Sequence, residues 1–459
     1  MKWLFALFAM LRQVFGGVPA GLQKLPGPAR RFPLGNGLDF LLRPPWAVTA
    51  EFSERYGSVA LAWLGPFPMV MLHDPDLIRQ VLVEGDPAQR VYKAEPVGAL
   101  APASPTNTSS FVANGVEHAR MRRGGMATHP GYKVFLDDFT RRTVDLARDR
   151  AKGDLAKRGR GFERRMQRFM FDVISHAVVG ENLGNASYRH AMVVFRTLDF
   201  RMRTNLPVVS PLFYWARRQW WGAFRARVAA EREGRATGAG LLKHTFRGSH
   251  VSIDQYAIGL SNVFPGGLFS TTSVVLNALV ALDRHPAVAA EVRAAIREDH
   301  ARGGTLDFAR LAAIAPFERL ARETLRLYTP VPIFMRRVGR EPLTLKEHRL
   351  DPGTMVAIGP GPLHRSKAQW DKPEDFNPAR WTPELMAERP YGSDWFFPFG
   401  RGPRECEGRE LALASFRAVL YGLLLEHEVR FEGAGPVRQK FFFAVMTPSR
   451  LSGTVRPTS

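Results

Sequence analysis

The stretch FPFGRGPRECEGRELALASF, residues 397–416, holds the only cysteine among 459 residues. One thiol excludes an intrachain disulfide, and no cysteine pattern marks an oxidising compartment. A free cysteine is commonly a small buried hydrophobe. Here its neighbours argue for a ligating group instead. Gly400, Gly402 and Gly408 let the backbone approach a flat, bulky partner without a Cβ in the way. An apolar helical run begins just after Cys406, so its first amides point back at the sulfur and favour the thiolate. Arg401 and Arg404 add positive charge. A thiolate held in this way is suited to bind a metal.

Outward from this loop the chain reads as mainly helical. Residues 45–57 have helical spacing and a glycine stop. Two strand-like runs, SVALAWL and FPMVMLH, meet at Gly65-Pro66, and Asp74 caps a helix with Pro75 at its first position. Residues 94–112 read as loop. From 115 to 330 the pattern is helical, with loops expected near 203–211 and 232–251 and a helix pair around Pro286. The run from Asp307 to Tyr328 is a helical stretch ended by Pro330 and Pro332. Beyond 333 come short strands and turns, an irregular segment over 364–405, a final helix to about 426, and a strand-like FFFAVMTPSRL. The expected architecture is one large, mainly α domain over residues 25–459 with a small β portion.

The amino-terminal MKWLFALFAMLRQVFGG carries nine apolar residues from Trp3 to Leu11, far short of the ~20 that span a bilayer. Residues 1–24 therefore read as a short apolar segment, either a helix lying on a membrane or a docked terminal helix. Lys plus Arg number 64 against 43 acids, a formal charge of +21, which favours acidic partners. The basic residues are spread along the chain with no zinc-finger, basic-zipper or RNA-binding signature, so no nucleic-acid partner is expected.

FGRGPRECEG, residues 399–408, resembles the haem-binding signature of the cytochrome P450 superfamily. Three further stretches strengthen the resemblance in the expected order. ETLR places Glu323 and Arg326 on one helix face, and NPARW supplies Arg380, with Trp381 where the family usually has Phe. GVEHARMRR places His118 and Arg122 four residues apart, and FMRRV offers Arg336 or Arg337, between which spacing does not choose. The resemblance implies the P450 fold, with haem b between the central long helix and the helix after Cys406. It implies that Cys406 is the axial thiolate on the iron, with Phe399, Gly400 and Gly408 shaping its loop. It further implies that Arg404, His118, Arg122 and Arg336 or Arg337 meet the propionates, and that Glu323, Arg326 and Arg380 lock together as a structural set.

The central helix departs from the family pattern, a small residue, Gly, any residue, an acid and Thr. Counting back from Arg284-His285-Pro286 puts Gly266 and Gly267 at the small positions, Phe269 at the acid and Ser270 at the alcohol. A shifted register moves Thr271 to the alcohol position. Neither register supplies a carboxylate, and Pro265 removes one helical hydrogen bond and would promote a kink. The acid and alcohol relay protons for dioxygen cleavage, and Phe269 cannot carry one.

The function these features imply is that of a haem-thiolate monooxygenase of secondary metabolism, oxidising an apolar small molecule. Phe195, Leu198, Phe200, Leu206 and Phe213 are candidates for its pocket, while Arg201 and Arg203 read as surface arginines. Electrons would come from a separate ferredoxin- or flavodoxin-type donor and its reductase, drawn to a basic surface. The alternatives are a peroxygenase, an oxygen-independent isomerase or dehydratase, and a non-catalytic haem-thiolate sensor. The expected location is the cytoplasm, with peripheral membrane attachment through the amino terminus.

Overall fold

The computed structural model describes residues 20–29, 35–36, 39, 43–64, 67–85, 91–93, 114–123, 130–204, 209–235, 238, 240–245, 252–433 and 435–458. Residues 1–19 of the expected membrane-surface segment, the Gly65-Pro66 joint, the 94–112 loop and Leu206 lie outside them. Internal contacts divide the chain into two compact units: residues 1–95, 331–375 and 387–405, and residues 96–330, 376–386 and 406–459. Each is assembled from three separate stretches, which is why no boundary is legible along the chain.

The first unit is built on a five-stranded sheet in the order β1-β2-β7-β4-β3. Its strands are β1 (Val59–Leu64), β2 (Phe67–Leu72), β3 (Val91–Lys93), β4 (Phe334–Val338) and β7 (Met355–Ile358). β2 and β7 run parallel, with Val70 opposite Val356, and the other pairs are antiparallel. Alternation along β1 sends Val59, Leu61 and Trp63 to one core and Ala60 and Ala62 to the other. Helix α1 (Pro45–Tyr56) covers the second face with Val48 and Phe52 against those alanines and Met71. Because both faces are covered, SVALAWL reads as a continuous apolar run. A hairpin of β5 (Leu343–Leu345) and β6 (His348–Leu350) adds leucines to the first core. Asp74 accepts from the amides of Asp76 and Leu77, as its capping position predicts, and the helix Pro75–Arg79 continues into a π turn, Gln80–Glu84.

The second unit is helical. Its main helices are α2 (Gly115–Arg123), α3 (Tyr132–Lys152), α4 (Phe162–Val179), α5 (Gly184–Thr204), α6 (Pro211–Arg232), α7 (Ile253–Arg284), α8 (Ala315–Leu327) and α9 (Arg409–Leu424). α7 is the central element. Leu268, Val275, Leu276 and Ala278 are fully buried along it, the mark of a helix covered on several sides. Residues Tyr256–Arg284 are long and apolar enough to cross a membrane by length and composition, but 72% of the apolar window is buried inside the protein. α9 crosses α3 closely: a Cβ on Gly422 would sit 2.5 Å from the Val144 carbonyl.

α7 runs unbroken through Pro265. Phe264, fully buried, packs against Phe171, Trp220 and Phe224 with ring centroids 4.9–5.4 Å apart. That aromatic grip holds the segment helical despite the lost backbone bond.

Four local expectations are refined. The segment from 232 to 251 contains a short helix, Leu241–Thr245. The run from Asp307 to Tyr328 is two helices, Phe308–Ala313 and α8, broken at Ile314 ahead of Pro316. FFFAVMTPSRL belongs to a hairpin, β9 (Gln439–Phe442) and β10 (Val445–Pro448), turned by Phe443 and Ala444 at positive φ. A second antiparallel pair, β8 (His427–Phe431) and β11 (Gly453–Pro457), was not legible, because each strand is short and lies beside polar residues.

Candidate functional site

In the first unit the loop leading to Cys406 is shaped by the fold itself. The buried imidazole of His364 accepts the Phe397 amide through Nε2 at 3.1 Å. That bond fixes the neutral tautomer with its proton on Nδ1. Phe399 stacks edge-on to Tyr391, 5.5 Å between centroids, and Arg401 pairs with Asp394. Gly400 and Gly402 both have φ of +73°, a conformation that favours glycine. A Cβ on Gly402 would also fall 2.4 Å from the Leu82 carbonyl in the π turn. This close approach and the positive φ both require glycine at position 402. Arg404 closes the 3-10 turn Gly402–Arg404 and is half-buried.

The same unit distinguishes the two candidate arginines of β4. Arg336 is buried and donates to the Met335 carbonyl at 3.0 Å, while Arg337 is exposed and reaches the Gly353 carbonyl. Alternation on the strand sends the two side chains to opposite faces.

In the second unit Cys406 is exposed, just before α9. Gly408 has φ −89°, so its conformation does not require glycine. A Cβ there would meet only the Cys406 sulfur within 4 Å, at 3.9 Å, so glycine keeps the space beside the sulfur clear. On α2, His118 is buried and Arg122 forms an ion pair with Glu407, 3.2 Å between nitrogen and oxygen. Glu407 follows the cysteine directly and had no place in the sequence reading. Buried Tyr132 is pushed above the usual phenol range by burial, reinforced by the nearby charges of Glu410 and Cys406.

The Glu323 set is gathered as the resemblance implies. Arg326 grips the fully buried carboxylate with two bonds, Nε to Oε2 at 2.9 Å and a terminal nitrogen to Oε1 at 2.8 Å. Arg380 Nε and the Asn377 amide donate to Oε1 at 3.0 and 2.9 Å. The indole of Trp381 donates to Oε2 at 3.0 Å. The residue standing where the family usually has Phe therefore supplies a donor that Phe lacks. A second carboxylate on α8, Glu318, bridges Arg322 and Arg417, and Arg322 lies over the Trp381 ring.

The central helix presents the opposite chemistry. Phe269 is buried and packs against Phe195, Phe442 and Phe443, with centroids 5.5, 4.9 and 5.7 Å away. Asp199 of α5 accepts the Phe443 amide at 2.7 Å and pins the hairpin tip beside this cluster. The Ser270 hydroxyl donates to the Gly266 carbonyl, and Thr271 is buried. A Cβ on Gly266 would meet nothing within 4 Å, whereas one on Gly267 would press on Ile174. Of the pocket candidates, Phe195, Leu198 and Phe213 are buried and Phe200 is exposed. Arg201 is buried as well, not the surface residue expected, and the Arg203 side chain lies outside the described residues.

These residues fit a haem-thiolate centre on their chemistry. Among the described residues no group of three or more His, Cys, Asp or Glu could hold a metal ion. The sulfur is accessible and kept uncovered by Gly408, and buried cationic or imidazole side chains such as Arg336 and His118 suit propionates.

The family description "Cytochrome P450" matches residues 25–232 and 237–453. The chain is 30% identical over 166 residues to "Cytochrome P450 71D10" of Glycine max, covering 36% of this chain and 32% of that protein. It is 26% identical over 205 residues to "Cholesterol side-chain cleavage enzyme, mitochondrial" of Hypanus americanus, covering 44% and 38%. It is 24% identical over 459 residues to "Cytochrome P450 4V2" of Homo sapiens, covering 88% and 84%. The matched stretches thus span about a third of the first two relatives and most of the third. With the family matched from residue 25 to residue 453 and the thiol at the head of α9, the chain belongs to the cytochrome P450 family of haem-binding proteins.

Proposed function

We propose that the protein is a haem-thiolate monooxygenase that hydroxylates or otherwise oxidises an apolar organic molecule. Dioxygen and two electrons from a separate donor would insert one oxygen atom into substrate and release the other as water, with two protons consumed. The observation that carries this reading is the accessible Cys406 at the start of α9, in a chain matched to the family over nearly its whole length. Relatives whose names describe side-chain cleavage and hydroxylation support an oxidative reaction.

The haem supplies the redox centre and the surface on which dioxygen is reduced. Cys406 would hold its iron, and Arg404, His118, Arg122 and the inward Arg336 would hold its propionates. Phe399 and Gly400 set the loop, and Glu323, Arg326 and Arg380 keep the supporting helix in place. On α7 the Ser270 hydroxyl and Thr271 would hold water, with Gly266 leaving room beside them. Phe195, Phe269, Phe442 and Phe443 give the substrate side its apolar character. A ferredoxin- or flavodoxin-type donor suits the net charge of +21. We place the protein in the cytoplasm, with residues 1–24 as a peripheral membrane contact.

The carbon-monoxide spectrum of the reduced protein tests the reading. It should show the red-shifted Soret band of a thiolate haem, and Cys406→Ala should abolish it. Purified protein without haem would overturn the assignment.

The burial of Phe269 among rings favours a second reading, a peroxygenase, in which peroxide supplies both the oxygen atom and the oxidising equivalents. Apolar substrates offered with peroxide alone, or with ferredoxin and reductase, separate the two. Product only with the reductase system removes the second reading.

A further inference from the structure

The hairpin of β9 and β10 is fastened at both ends to helices of its own unit. At its base the Ser273 hydroxyl of α7 donates to the Met446 carbonyl, and the Gln439 side chain donates to Asn277 of α7 at 3.2 Å. At its tip Asp199 of α5 accepts the Phe443 amide at 2.7 Å. One turn earlier on α5, the Phe195 ring meets the Phe443 ring, 5.8 Å between centroids. Residues four apart on a helix share a face, so one face of α5 holds both the amide and the ring of the same residue.

The tip is a turn that its own residues disfavour. Phe442 pairs directly with Val445, so Phe443 and Ala444 are the whole turn, and their φ angles are +50° and +62°. Two-residue turns with positive φ at both positions are usually Asn-Gly or Asp-Gly, because a Cβ is crowded there. A Phe-Ala pair in that conformation is strained, and it persists only where its surroundings fix it. The buried Asp199 carboxylate supplies such a fixing contact, and the ring it places lies 5.7 Å from Phe269 on α7.

We propose that Asp199 is a positioning residue that limits how bulky an apolar molecule the protein accepts, by holding the strained Phe443-Ala444 turn so that the Phe443 ring stays closed against Phe195 and Phe269. This rests on the reading above of those rings as the substrate side. Without the contact the turn relaxes, the ring leaves the cluster, and the space beside Phe269 admits larger molecules. Asp199 need not serve Phe443 alone: relieving the strain at the turn should remove this dependence and leave any other role of the carboxylate untouched.

The test is spectral titration of the ferric holoenzyme with two haem-coordinating azoles of unlike bulk, imidazole and the triaryl clotrimazole. The preference for the bulky ligand is read as the ratio of their dissociation constants. Asp199→Ala should raise that preference about tenfold, the size of one lost bond to a charged acceptor. Asp199→Asn, which keeps an acceptor oxygen, should stay within about twofold of the parent. Adding Ala444→Gly to Asp199→Ala, which removes the strain, should bring the preference back to within about twofold. Amide exchange over residues 439–448 gives a readout independent of haem: about tenfold faster in Asp199→Ala and restored by both rescues. A preference in Asp199→Ala that stays within about twofold of the parent would overturn the proposal. Asp199→Asn as altered as Asp199→Ala would assign the carboxylate to a charge partner and also overturn it, as would a failure of Ala444→Gly to restore the parent. Should Asp199→Ala fail to fold, Ala444→Val, which makes positive φ harder to keep, must raise the preference with Asp199 intact, and an unchanged value decides against the proposal. A parent protein without the thiolate band removes the haem reading and this inference with it, whereas a normal band with parental preference in the variants removes only this inference.

Discussion

Glu323 and Phe269 occupy two regions of the same helical unit where the family pattern expects a carboxylate. At Glu323 the carboxylate is present, fully buried, and takes two bonds from Arg326 and one each from Arg380, Asn377 and Trp381. At position 269 it is absent, and a phenyl ring fills the space among Phe195, Phe442 and Phe443. A buried charge is tolerable only when its partners are all in place, whereas a ring needs only shape and area. The first region is therefore brittle toward loss of any one partner, and the second tolerates apolar change but not charge. The difference separates a charge-locked set that needs every partner in place from an apolar cluster that needs only shape and area.

The largest effect should come from Glu323→Gln. It leaves Arg326 and Arg380 buried without their counter-charge, a loss of about 3–5 kcal/mol. Against a total stability of roughly 5–15 kcal/mol, that should abolish or nearly abolish haem-loaded protein in expression trials and lower the urea midpoint of any that survives. Wild-type haem content and midpoint in Glu323→Gln would break the comparison at its strong end.

Phe269→Asp tests the other end. A carboxyl placed among three rings has no donor waiting for it, and unpaired polar burial in proteins costs about 1–3 kcal/mol. The variant should lose that much stability in urea titration, while Phe269→Leu should lose less. If the ring merely occupies a vacant proton-relay position, Phe269→Asp would instead raise reductase-driven product formation. The expected result is no gain, because Phe195, Phe442 and Phe443 stay packed at the site and keep water from the new acid.

Trp381→Phe sharpens the comparison from within. It restores the usual family residue, keeps the ring, and removes a single hydrogen bond to a charged acceptor. Such bonds contribute about 1.5–3 kcal/mol, and with four other donors on Glu323 the loss should fall near the low end. A thermal or urea shift close to zero would mean that the indole N–H adds nothing to the set.

The two regions also differ in how much of them was legible. Glu323 and Arg326 sit three residues apart on one helix, so spacing alone joins them, whereas Arg380 was joined to them by the family resemblance. The role of Trp381 was not legible, because a Trp-for-Phe exchange reads as ring-for-ring until the acceptor is seen. The surroundings of Phe269 come from residues 195, 442 and 443, which no periodicity connects. The same holds for Arg122 and Glu407, which are 285 positions apart in the chain. The mainly α architecture and the cysteine loop were readable because capping, alternation and glycine placement act locally. Even there, the close approach of Gly402 to the π turn at Leu82 was not legible, because the two positions lie far apart in the chain.

The smallest expected effect separates the two regions by pH. Glu318, beside the Glu323 set, is pushed upward by burial and more than compensated by Arg417 and Arg322, so its carboxyl titrates below the usual carboxylate range. A depressed folded-state value means that its stabilising contribution is complete above the unfolded value of 4.5 and is lost as pH falls through the folded one. The four rings at Phe269 carry no charge of their own, so shortening one of them should not change the response to pH. The urea midpoint of the parent should therefore fall as the medium is taken below pH 4.5, and Glu318→Gln, already destabilised at neutral pH, should show a shallower decline. Phe269→Leu should keep the parent's slope while lying below it at every pH. If Glu318→Gln and Phe269→Leu run parallel, the charged region has no special sensitivity to acid, and the contrast between a charge-locked set and an apolar cluster reduces to packing alone.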